Sequence, residues 1–284
     1  MPRRSKNAHA ARGGSSSRDT DRIIVAGPNA VDAILTAAAS KSGKARGGGS
    51  TISAVHRVYL EDTAGSRCQG LAKRASDVGI PVSMMGRGEC DRMADARCQG
   101  VAAEVGYAYA DLDDLLAKPG LVVFLDGVAD PHNLGAILRS AEAAGASGVV
   151  IPERRAAHIT ATVMRVSAGA AVYLPVARVT NLVRAMQQAR DAGFWIIGLA
   201  ADGAAPVPRA GTPDDPRVGD SVGLVIGGEG EGMHRLVTEH CDEIAYLPMR
   251  GRVESLNASV AAGVAIYRIL DGTLFGRGAP PRPR

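Results

Sequence analysis

An arginine on an otherwise apolar helix is the first feature of the sequence that could do chemistry. In DPHNLGAILRSAEAAG (130–145), Asn133 lies near the start of a predicted helix and Arg139 follows six residues later. A permanently charged guanidinium within an apolar helix needs a partner. The plainer alternative is an arginine whose stem packs along the helix, with Asn133 as a helix cap. Taken alone, the segment favours this alternative.

A glycine-rich loop is the second feature. The segment IGGEGEG (226–232) follows a predicted buried strand, and its glycines allow a ligand to approach bare main-chain amides. The spacing departs from GxGxxG because Met233 stands where the third glycine would be. Glu229 and Glu231 would also repel a pyrophosphate. The loop therefore suits a neutral or cationic ligand, and a solvated turn is an equal alternative.

A third loop, LPMRGRVESLNASVAAG (247–263), joins a strand end to a predicted helix. Arg250 and Arg252 precede Ser255 and Asn257, with Ser255 as the candidate helix cap. The helix interior is rich in alanine and glycine, which permits close packing of another segment. A capped helix without chemistry is the alternative reading of this loop.

The elements that must position these loops alternate between strand and helix. This alternation predicts a mostly parallel sheet covered by helices, with ligands bound beyond the carboxyl ends of the strands. We predict strands over 121–128, 148–151, 174–179, 195–200, 222–226 and 244–247. We predict the intervening helices over 133–144, 160–170, 181–192, 233–240 and 256–270.

A smaller α/β unit precedes this domain. Its predicted strands are 23–25, 55–60, 81–85 and 101–105, and its predicted helices are 31–39, capped by Asn29, and 70–78. Residues 40–50 read as a flexible insertion. The predicted organisation is a disordered basic tail (1–20), a small α/β RNA-binding domain (21–106), a linker (107–120), a catalytic domain (121–272) and a second basic tail (273–284).

Charge and composition restrict the functional classes. The net charge is +4, and residues 1–18 and 272–284 hold five and three basic residues with no acid, so the rest of the chain carries −4. Basic tails on such a body indicate contact with nucleic acid, or else serve only as solubilising ends. No apolar run is long enough for a membrane span or a secretory signal. The four cysteines lack CxxC spacing, and we expect a cytoplasmic protein with no metal site.

The three loops taken together are far more specific than any one of them. NLGAILRSAEAAG, VIGGEGEGM and LPMRGRVESLNASVAAGVAIYRIL, in this order, closely resemble the three motifs of the SpoU/TrmH family of RNA 2′-O-methyltransferases. SAGAAVYLPVARV (167–179) resembles the segment that this family places between the first and second motifs. The N-terminal unit resembles the ribosomal-protein-like domain of the RlmB type, which methylates a guanosine of 23S rRNA. That type shows His-Gln-Gly where this chain has Cys98-Gln99-Gly100.

The resemblance implies an α/β fold with a C-terminal trefoil knot, S-adenosylmethionine as cofactor, an RNA substrate (rRNA or, alternatively, tRNA) and a homodimer. It also implies two sets of site residues. The catalytic set is Asn133, Arg139, Glu229, Ser255 and Asn257. The cofactor-binding set is Gly227, Leu247 and Leu256.

The expected reaction assigns a role to each polar residue. The ribose 2′-hydroxyl is a weak nucleophile, so it must be aligned with the methyl group and lose its proton. We expect Arg139 to orient or activate the ribose and adjacent phosphate, and Glu229 to hold the knot or to pair with Arg139. The others, Asn133, Ser255 and Asn257, are expected to organise the loops and hydrogen-bond the substrate. We expect His132 and His234 to be incidental. A non-catalytic RNA-binding or ribosome-assembly protein with this fold is the alternative from another class.

Overall fold

Two separate β-sheets organise the part of the chain that the structure describes. The computed structural model describes residues 20–40, 51–94, 96–208, 220–230, 232–253 and 255–271. One sheet has four strands and the other has seven. Both predicted basic tails, most of the predicted insertion 40–50 and Glu231 lie outside the described residues.

The seven-stranded sheet is parallel throughout, as predicted. The order across it is β7-β6-β5-β10-β8-β11-β9. Its strands β5 and β10 are buried along almost their whole length, as their near-continuous apolar sequences require. The strands are β5 (Gly120–Asp126), β6 (Gly148–Pro152), β7 (Val176–Val179), β8 (Trp195–Leu199), β9 (Ala205–Pro206), β10 (Ser221–Gly227) and β11 (Glu243–Tyr246).

Helices connect these strands and cover the sheet. They are α5 (Pro131–Ala144), α6 (Ala161–Val166), α7 (Ala170–Tyr173), α8 (Leu182–Asp191), α9 (Arg235–Glu239) and α10 (Ala258–Ile269). Gly145 ends α5 in the left-handed conformation, with φ of 82°. The predicted single helix over 160–170 is wrong. Ala168 and Gly169 both have positive φ and divide it into α6 and α7.

The N-terminal unit is a four-stranded mixed sheet in the order β1-β4-β2-β3. Only the β2–β3 pair is parallel. Helix α3 was not predicted, and α4 lies inside the predicted linker. The elements are β1 (Thr20–Ala26), α1 (Pro28–Ser40), β2 (Ile52–Glu61), α2 (Ser66–Asp77), β3 (Val82–Met85), α3 (Glu89–Ala94), β4 (Val101–Ala108) and α4 (Leu112–Leu116).

The two sheets are joined by direct contacts as well as by the chain. Thr51 binds the carbonyl oxygens of Ala171 and Val172 through its hydroxyl, at 2.7 and 3.0 Å. Tyr173 donates from its hydroxyl to the carbonyl of Ala33 at 3.1 Å. Apolar residues of both units form one continuous buried cluster. The N-terminal unit therefore packs directly against α7 of the larger unit.

Helix capping differs from the prediction at three positions. Asn29 lies inside α1, and its side chain accepts a bond from Arg67. Asp130 rather than Asn133 caps α5. Asn257 rather than Ser255 caps α10, because its Oδ1 accepts from the main-chain amides of Ser259 and Val260. The trefoil knot stays a prediction, since strand order and pairing do not determine how the chain threads.

Candidate active site

Three polar side chains from the three loops meet at one point. Asn133, in the first turn of α5, donates from Nδ2 to Oε1 of Glu229 at 2.7 Å. Asn257 donates from Nδ2 to the same oxygen at 2.9 Å and to Oδ1 of Asn133 at 3.1 Å. Asn133 is only 5% exposed, so this ring is partly buried. The carboxylate holds the loop after β10 against the starts of α5 and α10.

The Asn257 side chain is satisfied on both of its polar atoms. Its Oδ1 caps α10 and accepts the Ser259 hydroxyl at 2.6 Å, while its Nδ2 serves the ring. An asparagine can do both because it carries an acceptor and two donor hydrogens. Residue 257 therefore couples the start of α10 to the glycine-rich loop.

A cavity of about 900 Å³ opens beside this ring, at the carboxyl edge of the parallel sheet. All three residues predicted to hold the cofactor line it, namely Gly227, Leu247 and Leu256. Glu229, Ser255 and Asn257 line it as well. The structure therefore gathers six of the eight predicted site residues around one cavity, with Asn133 bound directly to Glu229.

The cavity walls combine main chain, small apolar side chains and acids. Among the described residues, the only charged side chains that line it are those of Asp202 and Glu229. Such a lining disfavours pyrophosphate and suits a neutral or cationic ligand, as the sequence predicts. Apolar atoms of residues such as Ile226, Leu256 and Ala261 offer contact to a flat ring system.

Two positions in the cavity wall require glycine, because main-chain atoms of other residues lie where a β-carbon would be. A β-carbon on Gly227 would lie 2.3 Å from the carbonyl carbon of Gly232. One on Gly228 would lie 2.3 Å from the carbonyl oxygen of Gly127. The loop after β10 therefore folds back on itself and onto the end of β5 without room for a side chain.

Arg139 is the predicted site residue that neither lines the cavity nor binds a residue that does. It is exposed on α5, and among the described residues its side chain has no hydrogen bond or ion pair. The ion pair between Glu229 and Arg139, one of two roles considered for Glu229, is not formed, because Glu229 binds the two asparagines instead. A guanidinium without a protein partner is available to a ligand.

Two features of this edge were not predicted from the sequence. The loop after β8 contributes Ala200 and Asp202 to the cavity, because β8 neighbours β10 in the sheet. His234, which we expected to be incidental, is bound to the buried carboxylate of Asp126. Only the strand order could have identified the contribution of the loop after β8. An aspartate at the end of an apolar strand is the signal that could have identified the second.

Neither a metal-binding cluster nor a membrane-spanning helix occurs in the described part of the chain. Within it, no group of three or more histidine, cysteine, aspartate or glutamate side chains is placed to hold a metal ion. None of its helices combines the length and the apolar character needed to cross a membrane.

The cavity lies at the carboxyl edge of a parallel sheet, and its wall contains glycines and the Asn–Glu–Asn ring. This arrangement is typical of an α/β protein that binds a small cofactor. Residues 120–267 match the SpoU rRNA Methylase family. This match covers just over half of the chain, which therefore belongs to the SpoU/TrmH family of RNA methyltransferases.

Individual relatives agree with this assignment. An uncharacterised tRNA/rRNA methyltransferase of Mycobacterium ulcerans is 47% identical over 219 residues, which are 75% of this chain and 69% of the relative. The TrmH-family tRNA/rRNA methyltransferase YacO of Bacillus subtilis is 42% identical over 219 residues, covering 74% and 84% of the two chains. The fold resembles the SpoU methyltransferase AviRb of Streptomyces viridochromogenes, solved in complex with AdoMet (TM-score 0.72, 23% identity, 90% and 92% coverage).

Proposed function

We propose that the protein transfers a methyl group from S-adenosylmethionine to a ribose 2′-hydroxyl of RNA, in the cytoplasm, with a guanosine of 23S rRNA as the target. The observation that carries the proposal is the cavity at the carboxyl edge of the sheet, with acids as its only charged lining among the described residues and an Asn–Glu–Asn ring at its wall. Free cysteines at 68, 90, 98 and 241 agree with a reducing compartment.

The cavity fits S-adenosylmethionine by size and charge. The cofactor contains an adenine ring and a cationic sulfonium centre, and AviRb binds it within the same fold. Leu247 and Leu256 would contact the adenine, and Gly227 would offer main-chain groups. Glu229 and Asp202 provide negative charge near the cation. When bound, the cofactor supplies an electrophilic methyl group.

The residues around the cavity divide the remaining work. Asn133, Glu229 and Asn257 hold three loops in one arrangement, which fixes the geometry before RNA arrives. Arg139 is exposed and has no partner among the residues that the structure describes, and we assign it to the ribose and adjacent phosphate of the substrate. Ser255, exposed at the cavity edge, hydrogen-bonds the substrate.

The proposed active form is a homodimer built through α10. Val260, Val264 and Tyr267 are 50%, 47% and 39% exposed and lie on one face of this helix. Leu256 and Met249, which line the cavity, are also exposed large apolar residues. A second copy covering this apolar face would adjoin the cavity.

The test is methyl transfer from labelled S-adenosylmethionine to 23S rRNA and, separately, to total tRNA. Nuclease digestion and mass spectrometry of the nucleosides identify the product. We expect 2′-O-methylguanosine from 23S rRNA. Product in tRNA alone would replace the substrate with the tRNA alternative, and a methyl group on a base would overturn the 2′-O assignment. Binding of RNA without any transfer would favour the non-catalytic alternative.

A further inference from the structure

A histidine held by a buried carboxylate stands beside the cavity. Asp126 is the last residue of β5, and its side chain is 8% exposed. The main-chain amide of His234 donates to Oδ2 of Asp126 at 2.6 Å, and Nδ1 of the imidazole lies 2.9 Å from Oδ1. Both carboxylate oxygens therefore bind one residue, which fixes the position of its ring.

This pairing determines what the other ring nitrogen can do. An ionised aspartate only accepts hydrogen bonds, so Nδ1 carries the hydrogen. In the neutral imidazole, Nε2 then has a free lone pair. The His234 side chain is 54% exposed, and no described residue hydrogen-bonds Nε2. The pair thus presents an oriented hydrogen-bond acceptor to solvent.

The Asp126–His234 pair lies next to residues that line the cavity. Asp126 pairs in register with Gly227, and Gly227 and Met233 both line the cavity. The imidazole lies over Gly127, with Cε1 3.5 Å from the position of a β-carbon added there. Gly127 begins the loop that leads to α5, which carries Asn133 and Arg139. RNA that reaches the cavity over this loop would therefore pass near the ring.

The chemistry of the RNA backbone identifies the partner. Ionised phosphates only accept hydrogen bonds, whereas the ribose 2′-hydroxyl can donate one. We propose that the Asp126–His234 pair binds the RNA substrate, with Nε2 accepting a hydrogen bond from the 2′-hydroxyl of a nucleotide that flanks the methylated one. The proposal rests on the proposed function and makes His234 an RNA-binding residue that reads ribose rather than deoxyribose.

The experiment couples one protein change to one substrate change. In His234→Asn, the side-chain amide can still donate to Asp126, but the acceptor at the Nε2 position is lost. One substrate is an RNA fragment that contains the target nucleotide before methylation. The others are the same fragment with a single 2′-deoxynucleotide placed at one flanking position at a time. His240→Asn is the matched control, because His240 lies at the opposite end of α9 from His234, where its Nδ1 is 2.8 Å from the Leu236 carbonyl.

We expect one flanking deoxynucleotide to lower kcat/KM of the wild type and of His240→Asn by about 3- to 10-fold, the effect of one hydrogen bond. On the all-ribose RNA, kcat/KM of His234→Asn should be lower than that of the wild type by a similar factor. A deoxynucleotide at the same flanking position should then cause no further fall in kcat/KM of this variant. Its melting temperature and affinity for S-adenosylmethionine should match those of the wild type. If the wild type transfers methyl groups normally and His234→Asn matches it on every substrate, the inference fails while the proposed function stands. If the wild type forms no 2′-O-methyl product, the proposed function fails instead.

Discussion

Asn133 and Glu229, 96 positions apart in the chain, are joined by a hydrogen bond of 2.7 Å between Nδ2 and Oε1. The bond connects the first turn of α5, which follows β5, to the loop that follows β10. These two strands are neighbours in the parallel sheet. Because Asn257 donates to the same oxygen, one carboxylate sets the relative position of three segments.

Glu229→Ala should weaken the binding of S-adenosylmethionine by about 10-fold or more, since it leaves the buried Asn133 amide without its acceptor. Glu229→Gln should be milder, because an amide oxygen can still accept both bonds. Isothermal titration calorimetry measures the affinities. Glu239→Ala, which removes an exposed partner of Arg235, is the control and should bind normally. Equal affinity for Glu229→Ala and the wild type would show that the ring does not order the cavity.

Arg139→Ala should abolish turnover and leave stability within about 0.5 kcal/mol of the wild type, because an exposed side chain without a protein partner contributes little to folding. Single-turnover methyl transfer and thermal unfolding measure the two effects. Arg139→Lys should recover little activity, since lysine lacks the planar pair of donors. A folded Arg139→Ala enzyme with near-wild-type turnover would contradict the assignment.

Gly227→Ala should lower the melting temperature and prevent cofactor binding. The added methyl group would lie 2.3 Å from main chain, so the loop after β10 must move. Gly70→Ala is the control, because a β-carbon there meets no atom within 4 Å. In the interior of helix α2, this control should stabilise the fold by about 0.5–1 kcal/mol. Unchanged cofactor affinity in Gly227→Ala would mean that the wall can shift freely.

Val264→Glu should convert the proposed dimer into a monomer, because it places a charge in the apolar face of α10. Light scattering at micromolar concentration measures the mass. Val78→Glu changes a residue that is 61% exposed at the end of α2, and it should leave the mass of the dimer unchanged. A wild-type monomer would rule out the dimer itself.

The buried thiols of Cys90 and Cys98 should lower the free energy of unfolding at high pH. Burial raises the pKa of Cys90 to about 11 and that of Cys98 to about 12. Between pH 9 and about 12 the unfolded chain loses these protons first, so the free energy of unfolding should fall as pH rises. Urea titrations at pH 8 and pH 10 measure it, and Cys98→Ala should flatten the decline. An identical slope in this variant would contradict the assignment to Cys98.

The class of fold and the family were both predictable from the amino-acid sequence alone. Apolar runs such as 121–126 are readable as buried parallel strands because both faces of such a strand are covered. The three motif loops are readable because their residue types and order are local properties of the chain. Helix starts were predicted less accurately. The caps of α5 and α10 are Asp130 and Asn257, and not the predicted Asn133 and Ser255.

Which side chains meet at the cavity could not be predicted from the sequence, because it depends on how the strands are ordered and packed. Strand order places β8 beside β10 and so brings Asp202 to the cavity, although nothing in the sequence near Asp202 indicates it. The choice of Asn133 and Asn257, rather than Arg139, as partners of Glu229 depends on distances of about 3 Å across the sheet edge. The pairing of Asp126 with His234 has the same origin, because contacts between residues far apart in sequence are set by how the elements pack.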